Sequence, residues 1–314
     1  MRPREVPVTS SPKPARRSWS SFLVLGLKGF CMGAADVVPG VSGGTMAFIL
    51  GIYEELITAL RSFDTEFVRL LSKGRFREAL ERVSWRFLVS VGVGILAAVF
   101  SLARGLSWLL VNQPVLIWSF FFGLIAASVF TVSRRVTRWG AAGFVSLFSG
   151  AALTYALVGM VPMETPETPW FLFLSGALAI CAMILPGISG AFVLVLLGKY
   201  LFVLEAVNQR DMAVLAITAA GAVCGLLSFA RLLEWLFKRY HNAAIALLTG
   251  LMLGSLRKVW PWKETACAEA AYQANVLPTA LNAEAAWALG LALLGCLLVM
   301  LLHWWGERKS GAAP

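Results

Sequence analysis

Long apolar segments alternate with short polar connections along almost the whole chain. They fall at 22–35, 41–60, 86–110, 114–133, 140–161, 170–185, 187–207, 212–237, 243–258 and 284–305. Several reach the ~20 residues that a helix needs to cross a bilayer. The pattern therefore predicts an all-α polytopic membrane protein.

One stretch between the apolar segments is highly charged. Residues 62–84 carry five basic and four acidic side chains: Arg69, Lys73, Arg75, Arg77 and Arg82, with Asp64, Glu66, Glu78 and Glu81. So many charges cannot lie in hydrocarbon. We expect this stretch to form a cytoplasmic amphipathic helix or loop.

A short polar turn interrupts the apolar sequence twice. The first copy is Pro39-Gly40-Val41-Ser42-Gly43-Gly44-Thr45, and the second, Pro186-Gly187-Ile188-Ser189-Gly190-Ala191, begins 147 positions later. A Gly-x-Tyr sequence follows each copy at the same distance, as Gly51-Ile52-Tyr53 and Gly198-Lys199-Tyr200. Such breaks free backbone groups that lipid cannot satisfy, so protein or a water-filled cavity must surround them. Two of them at equivalent places predict a transporter-type site near the bilayer midplane.

The similarity between the two halves continues beyond the turns. Ser101-Leu102-Ala103-Arg104 matches Ser228-Phe229-Ala230-Arg231, and Phe122-Gly123-Leu124-Ile125 matches Thr249-Gly250-Leu251-Met252, both with an offset of 127. The offset between matching residues falls from 147 to 127 because the first half contains 20 extra residues. The charged stretch 62–84 accounts for them. We divide the chain into a disordered basic tail (1–20), repeat 1 (21–161, with the charged loop 61–85), an outer linker (162–169), repeat 2 (170–306) and a C-terminal tail (307–314).

The number of segments in each half predicts inverted repeats. Each half has a broken pair, which adds an even number of crossings, and three further segments, so it crosses an odd number of times. With both termini in the cytoplasm, the basic loops near 61–86, 134–138, 238–241 and 306–310 lie inside, as the positive-inside rule requires. The segment 257–283, with Arg257, Lys258 and Lys263, is an exception on the outside. We expect the broken pairs to be re-entrant helical hairpins, because 22–35 and 170–185 are short.

Composition agrees with a membrane protein. The chain is 59% hydrophobic and 14% charged, with a mean hydropathy of +0.76, whereas soluble domains carry about 25% charged residues. Cytoplasmic loops account for the net charge of +10, and no basic face on a soluble domain indicates nucleic-acid binding. The five cysteines show no CxxC or Cys/His spacing, so we predict no metal site, disulfide framework or cofactor.

The two turns are candidate anion sites. Glycines leave backbone N–H groups accessible, and a helix that begins near Ser42 presents unpaired N–H groups to a phosphate. We assign this role to Ser42, Gly43, Gly44 and Thr45 in the first turn, and to Ser189 and Gly190 in the second. The structural alternative is a serine N-cap followed by glycines that permit close helix packing.

Five ionisable residues lie in or near the apolar segments and are further candidates, because such residues are costly in lipid: Asp36, Glu54, Arg104, Arg231 and Glu234. Arg104 and Arg231 are repeat partners that could bind phosphate arriving from either leaflet, or could extend to the interface. Asp36 and Glu54 could carry a coupling proton or sodium ion. Their structural alternative is a salt bridge to Lys28 or an arginine.

These motifs are similar to those of a known family, the PopT-type polyprenyl-phosphate translocases of bacteria and archaea. The resemblance rests on Gly33-Ala34-Ala35-Asp36-Val37-Val38 with the first turn, on Gly51-Ile52-Tyr53-Glu54, on Leu185-Pro186-Gly187-Ile188-Ser189-Gly190, and on Gly254-Ser255-Leu256-Arg257 with Trp260-Pro261-Trp262. It covers nearly the whole chain except the basic N-terminal tail.

The resemblance implies a flippase in the bacterial inner membrane that returns undecaprenyl phosphate, the carrier of cell-envelope glycan precursors, to the cytoplasmic leaflet. The residues alone indicate a transporter of a small anion or an anionic headgroup, and predict no particular oligomeric state. Alternating access would bring the phosphate to both turns and the arginines. The second turn has Ala191 and Phe192 where the first has Gly44 and Thr45, so its anion contacts should be weaker.

Two alternatives remain open from the sequence. An undecaprenyl-pyrophosphate phosphatase has a similar turn, but Gly43 stands where that enzyme has an arginine and no paired-glutamate motif precedes the turn. An ion-coupled transporter of a soluble anion would lack a lateral opening to lipid beside Ser42 and Ser189.

Overall fold

A computed structural model describes residues 19–37, 42–267, 270–278 and 282–309. Most of both predicted tails, and residues 38–41 with the beginning of the first turn, lie outside this range. The described helices are α1 (Trp19–Asp36), α2 (Gly43–Ile49), α3 (Tyr53–Arg61), α4 (Thr65–Ser72), α5 (Phe76–Arg82), α6 (Trp85–Asn112), α7 (Pro114–Ser133), α8 (Ala141–Val158), α9 (Pro169–Ile184), α10 (Gly190–Leu196), α11 (Tyr200–Gln209), α12 (Met212–Val259) and α13 (Ala283–Lys309). The prediction of an all-α polytopic membrane protein is confirmed.

Five of these helices, α6, α7, α8, α12 and α13, are long and apolar enough to cross a membrane. α12 has 48 residues, which at 1.5 Å per residue is about 72 Å, more than twice the ~30 Å hydrocarbon core. Its backbone leaves helical geometry at Tyr240 (φ −134°, ψ 49°), so it consists of two segments. Gln113, between α6 and α7, has almost the same angles (φ −137°, ψ 52°). The two breaks are 127 positions apart, the offset found in the sequence.

The apolar segments that follow the turns are each bent. α2 meets α3 at 119°, and α10 meets α11 at 104°. The bends fall at Gly51 (φ +69°) and Gly198 (φ +63°), in a region of backbone conformation that glycine adopts readily. The shared Gly-x-Tyr sequence therefore marks a helix bend. The re-entrant arrangement stays a prediction.

A lysine ammonium stabilises each bend. Lys28 Nζ donates a hydrogen bond to the Leu50 carbonyl (2.7 Å), and Lys199 Nζ donates one to the Thr165 carbonyl (2.7 Å). Lys199 is buried, and its ammonium group lies 5.9 Å from the Phe171 ring and 5.6 Å from the Phe202 ring. The first bond satisfies a carbonyl at the interruption between α2 and α3. The second connects the bend between α10 and α11 to the segment that precedes α9.

Equivalent helices in the two halves make equivalent close contacts. Gly94 of α6 packs against the α1 backbone at Gly26, and Gly221 of α12 packs against the α9 backbone at Phe173. These pairs are related by the offsets 127 and 147. Glycine lets the helix backbones approach closely, as is common in membrane bundles.

The last helix of each half packs on the other half. α8 packs on the second segment of α12, where Gly150 meets Leu251, while α13 packs on α7, where Gly295 meets Leu124. The two halves are therefore interlocked, and their core is shared. The inverted orientation of the repeats and their boundaries stay predictions.

Two polar elements project from the helical bundle. The charged stretch forms the short helices α4 and α5, which an ion pair between Arg82 and Asp64 (2.5 Å) connects. After α12, strands β1 (Lys263–Cys267) and β2 (Ala270–Asn275) form an antiparallel hairpin. The Asn275 side chain anchors this hairpin by donating to the Arg257 carbonyl (2.8 Å). The sequence pattern did not predict the hairpin.

Candidate functional site

The first turn places a carboxylate at the start of a helix. α1 ends at Asp36, and α2 begins after Ser42, whose extended backbone makes it the N-cap. Gly43 N–H donates to Asp36 Oδ1 (2.7 Å), and Gly44 N–H donates to Ser42 Oγ (3.1 Å). In this conformation the Asp36 carboxylate occupies the N-terminus of α2, where the sequence predicts a bound anion.

The two turns are in direct contact, although about 140 residues separate them. Ser42 Oγ–H lies 3.0 Å from the Met183 carbonyl and 3.3 Å from the Leu185 carbonyl, and Gly187 N–H donates to Thr45 Oγ1 (2.9 Å). Ser42 and Thr45 are 1% and 0% exposed. The structure therefore places the two sequence motifs at one buried point between the halves.

Glycine is required at this contact. A Cβ atom on Gly44 would overlap the Ile184 carbonyl. Gly187 has φ +91°, and a Cβ atom there would lie 2.8 Å from the Leu251 carbonyl. Ser42 therefore acts as a helix N-cap, and the glycines permit close packing of the turns, as in the structural alternative to an anion site. Anion binding by the same groups stays a prediction.

The second turn is less polar than the first. Ser189 stands at the N-cap position of α10 but makes no capping hydrogen bond with its side chain. Gly190 packs against the Ala179 carbonyl. Phe192 replaces the hydroxyl that Thr45 supplies in the first turn, and its ring instead lies under the ammonium group of Lys258 (4.8 Å).

The predicted arginines lie away from the turns. Arg104 and Arg231 are both exposed, and within the described part of the chain no hydrogen bond or ion pair joins either to the turns. Arg231 lines a cavity of about 380 Å³ together with Arg61, Glu234, Trp235, Lys238 and Arg239. Glu234 pairs with both Arg61 and Lys238. The four cationic side chains of the lining therefore outnumber its single carboxylate. This cavity is cationic.

The two candidate coupling residues lie in different environments. Asp36 is half-buried in the turn contact. Glu54 is exposed at the start of α3, and its charge acts on the guanidinium of Arg135, which lies 5.5 Å above the Phe48 ring. The structure does not bring Asp36 and Glu54 into one site.

Comparison with known proteins identifies the family. Residues 32–276 match the model of a family described as undecaprenyl phosphate translocase-like. A polyprenyl-phosphate transporter of Vibrio cholerae is 44% identical over 245 residues, covering 78% of this chain and 80% of the relative. The chain belongs to this translocase-like family. A polyprenyl-phosphate transporter of Staphylococcus aureus is 30% identical over 253 residues, covering 75% of the chain and 85% of the relative. No solved structure matches the chain significantly.

Family membership decides between transporter and enzyme. The family and both relatives are named as translocases or transporters, so the chain is a multi-pass membrane transporter and the phosphatase alternative is rejected.

The region shared with the translocase-like family, residues 32–276, contains both turns and both arginines. It also contains three cations at the end of α12 and the start of β1, Arg257, Lys258 and Lys263. The sequence indicates these three only as a departure from the positive-inside pattern and predicts no site role for them.

Proposed function

We propose that the chain is a flippase that returns undecaprenyl phosphate from the outer to the cytoplasmic leaflet of the bacterial inner membrane. The observation that carries this proposal is the buried contact between the two turns, at the junction of two interlocked halves. The transporter names of the relatives support a polyprenyl phosphate as the substrate. Both termini and the charged helices α4 and α5 would lie in the cytoplasm.

In the proposed mechanism, the two turns separate and close again in alternating access. Separation breaks the Ser42 and Thr45 bonds to the second turn, each worth about 0.5–1.5 kcal/mol net. A cost of a few kcal/mol leaves the open state populated as a minor species. The phosphate would then bind the groups that separation frees, on Ser42, Gly43, Gly44 and Thr45, and more weakly on Ser189 and Gly190. The isoprenoid tail would remain in lipid.

The arginines extend this path towards both faces of the membrane. Arg231 lines the cationic cavity at the end of its helix near Tyr240, which the proposed topology places on the cytoplasmic side. Arg104, its repeat partner, lies on α6 towards the opposite end. A phosphate approaching from either leaflet would therefore meet a guanidinium, which binds phosphate through paired N–H donors. A proton or sodium gradient would act through Asp36 or Glu54.

The double variant R104A/R231A tests this role of the arginines. We expect it to abolish headgroup movement in proteoliposomes, because each end of the path would lose the guanidinium that its repeat contributes to the phosphate. The matched control is R69A/R77A, which removes two exposed arginines of α4 and α5. Full activity of R104A/R231A would exclude both arginines from the path.

Ligand-induced stabilisation tests the substrate class. A short-chain polyprenyl phosphate at about 100 times its Kd should stabilise the solubilised protein by about 2.7 kcal/mol, seen as a higher melting temperature. The matched polyprenol, which lacks the phosphate, and inorganic phosphate should have much smaller effects. Stabilisation by inorganic phosphate alone would instead favour the soluble-anion transporter.

A further inference from the structure

The end of α12 carries cations that the proposed mechanism does not use. Lys258 lies 18 residues after the break at Tyr240, about 27 Å further along the helix. It therefore lies at the opposite end of this segment from the Arg231 cavity. Together with Arg257 and Lys263, it forms the exception to the positive-inside pattern.

Three parts of the fold hold the two lysines in place. Lys258 Nζ lies 4.8 Å from the Phe192 ring of α10, and Lys263 Nζ lies 4.6 Å from the Trp118 ring of α7. Lys263 Nζ also donates to the Lys258 carbonyl (2.5 Å). Both side chains are half-buried. An aromatic face stabilises an ammonium group without neutralising its charge.

No acidic group of the described chain compensates these charges. The carboxylates at this end, Glu164, Glu167, Glu264 and Glu284, are exposed and form no ion pair among the described residues. Burial, together with the charge of Lys258, lowers the pKa of Lys263 to about 8. Two neighbouring half-buried ammonium groups that have no counter-ion among the described residues favour binding of an anion.

We propose that Lys258 and Lys263 form an anion site that receives the phosphate headgroup of the lipid at the hairpin end of the molecule; this inference rests on the proposed function. A phosphate monoester carries a charge of about −1.5 to −2 at neutral pH, which matches the two ammonium groups. The site also explains the difference between the turns. Phe192, two residues after Gly190, supplies the ring beneath Lys258 where the first turn has Thr45.

A neighbouring cavity suits the lipid tail. It has a volume of about 490 Å³, and its lining includes Phe122, Leu253, Leu256 and Trp260, with Arg257 as its charged member. Arg257 also donates to the Tyr155 carbonyl (2.8 Å) and lies 4.3 Å from that ring, so its position is fixed. Apolar walls beside a cationic group can hold the first isoprene units next to the phosphate.

Chemical labelling of the two amines tests the site directly. The solubilised protein is treated with an amine-reactive reagent, with and without a short-chain polyprenyl phosphate, and the labelling of Lys258 and Lys263 is measured by mass spectrometry. At about ten times the Kd of the probe, the labelling rate of both lysines should fall about tenfold. Labelling of Lys73, exposed after α4, should not change.

The pH dependence separates binding from a purely structural role. The dianionic phosphate binds the protonated pair, so affinity is greatest between about pH 7 and pH 8, above the second pKa of the phosphate. It weakens as the pH rises through the Lys263 pKa, by up to about tenfold per unit. Among the described residues, the other charged groups at this end are Lys258, Arg257 and the four exposed carboxylates, and α7 contributes the Trp118 ring. The variant K263Q should lose this dependence between pH 7 and pH 9.

Transport assays, combined with the labelling experiment, show whether the lysine site or the proposed flippase function is wrong. The variant K258Q/K263Q should lose at least about tenfold in probe affinity and transport slowly, while K73Q/R77Q, with the same change in charge, should transport normally. Wild-type transport without protection of the lysines would reject the site and leave the proposed function intact. Protection without transport would support the site and reject the flippase. Neither protection nor transport would reject both.

Discussion

Replacing Gly44 with valine is expected to abolish headgroup translocation. A side chain at Gly44 would overlap the Ile184 carbonyl, a backbone group that cannot rotate away. The valine side chain would push the first turn away from the second. Ser42 would then lose its contacts with the Met183 and Leu185 carbonyls. Overpacking of this kind also destabilises a protein by about 1–3 kcal/mol. Transport in proteoliposomes and thermal unfolding of the solubilised protein measure the two effects.

The matched control for this variant is Gly105→Val on α6. Gly105 is an exposed helical glycine, and a Cβ atom there would meet no other atom within 4 Å. We expect this control to fold and to transport like the wild type. Wild-type transport by Gly44→Val would show that the close contact between the turns has no part in the transport cycle.

The carboxylate of Asp36 is expected to be essential, and two substitutions separate its structural role from its charge. Asp36→Ala removes the acceptor for Gly43 N–H, which lies in a buried turn. An unsatisfied buried donor costs about 1–3 kcal/mol, so this variant should be both less stable and inactive. Asp36→Asn retains an oxygen that can accept this hydrogen bond but carries no charge. It should fold normally and lose its response to an imposed proton or sodium gradient.

Asp211 provides a control for the Asp36 substitutions outside the proposed site. Its side chain caps α12 by accepting from Ala213 and Val214, and it is exposed. Asp211→Asn should leave both stability and transport unchanged, since asparagine is an equally good N-cap. If Asp36→Asn behaved like Asp211→Asn under every gradient, Asp36 would have no role in ion coupling.

The helical segments could be predicted from the sequence because lipid imposes a strong apolar pattern. Even the break within α12 was indicated, since the polar residues around Tyr240 separate two apolar runs. The bends at Gly51 and Gly198 were marked by a repeated sequence, but hydropathy does not show a change in helix direction. Their positive φ angles became apparent only in the structure.

The arrangement of the candidate site was less accessible from the sequence. The sequence predicts an anion-site role for Ser42, with a helix cap as the structural alternative. It does not indicate the partners Met183 and Leu185, because these contribute backbone carbonyls, which carry no side-chain signal. Similarly, the sequence showed Lys258 and Lys263 as unusual charges. Their positions over Phe192 and Trp118 depend on how α7, α10 and α12 pack together.

The most direct test of lipid translocation uses proteoliposomes that contain undecaprenyl phosphate. A phosphatase that cannot cross the membrane is added outside, and the hydrolysed fraction of the lipid is followed over time with and without the protein. With wild-type protein, hydrolysis should exceed the outer-leaflet share of the lipid, while protein-free liposomes should stop at that share. If hydrolysis stopped there with the protein present, under every imposed ion gradient, the chain would not be a flippase for this lipid.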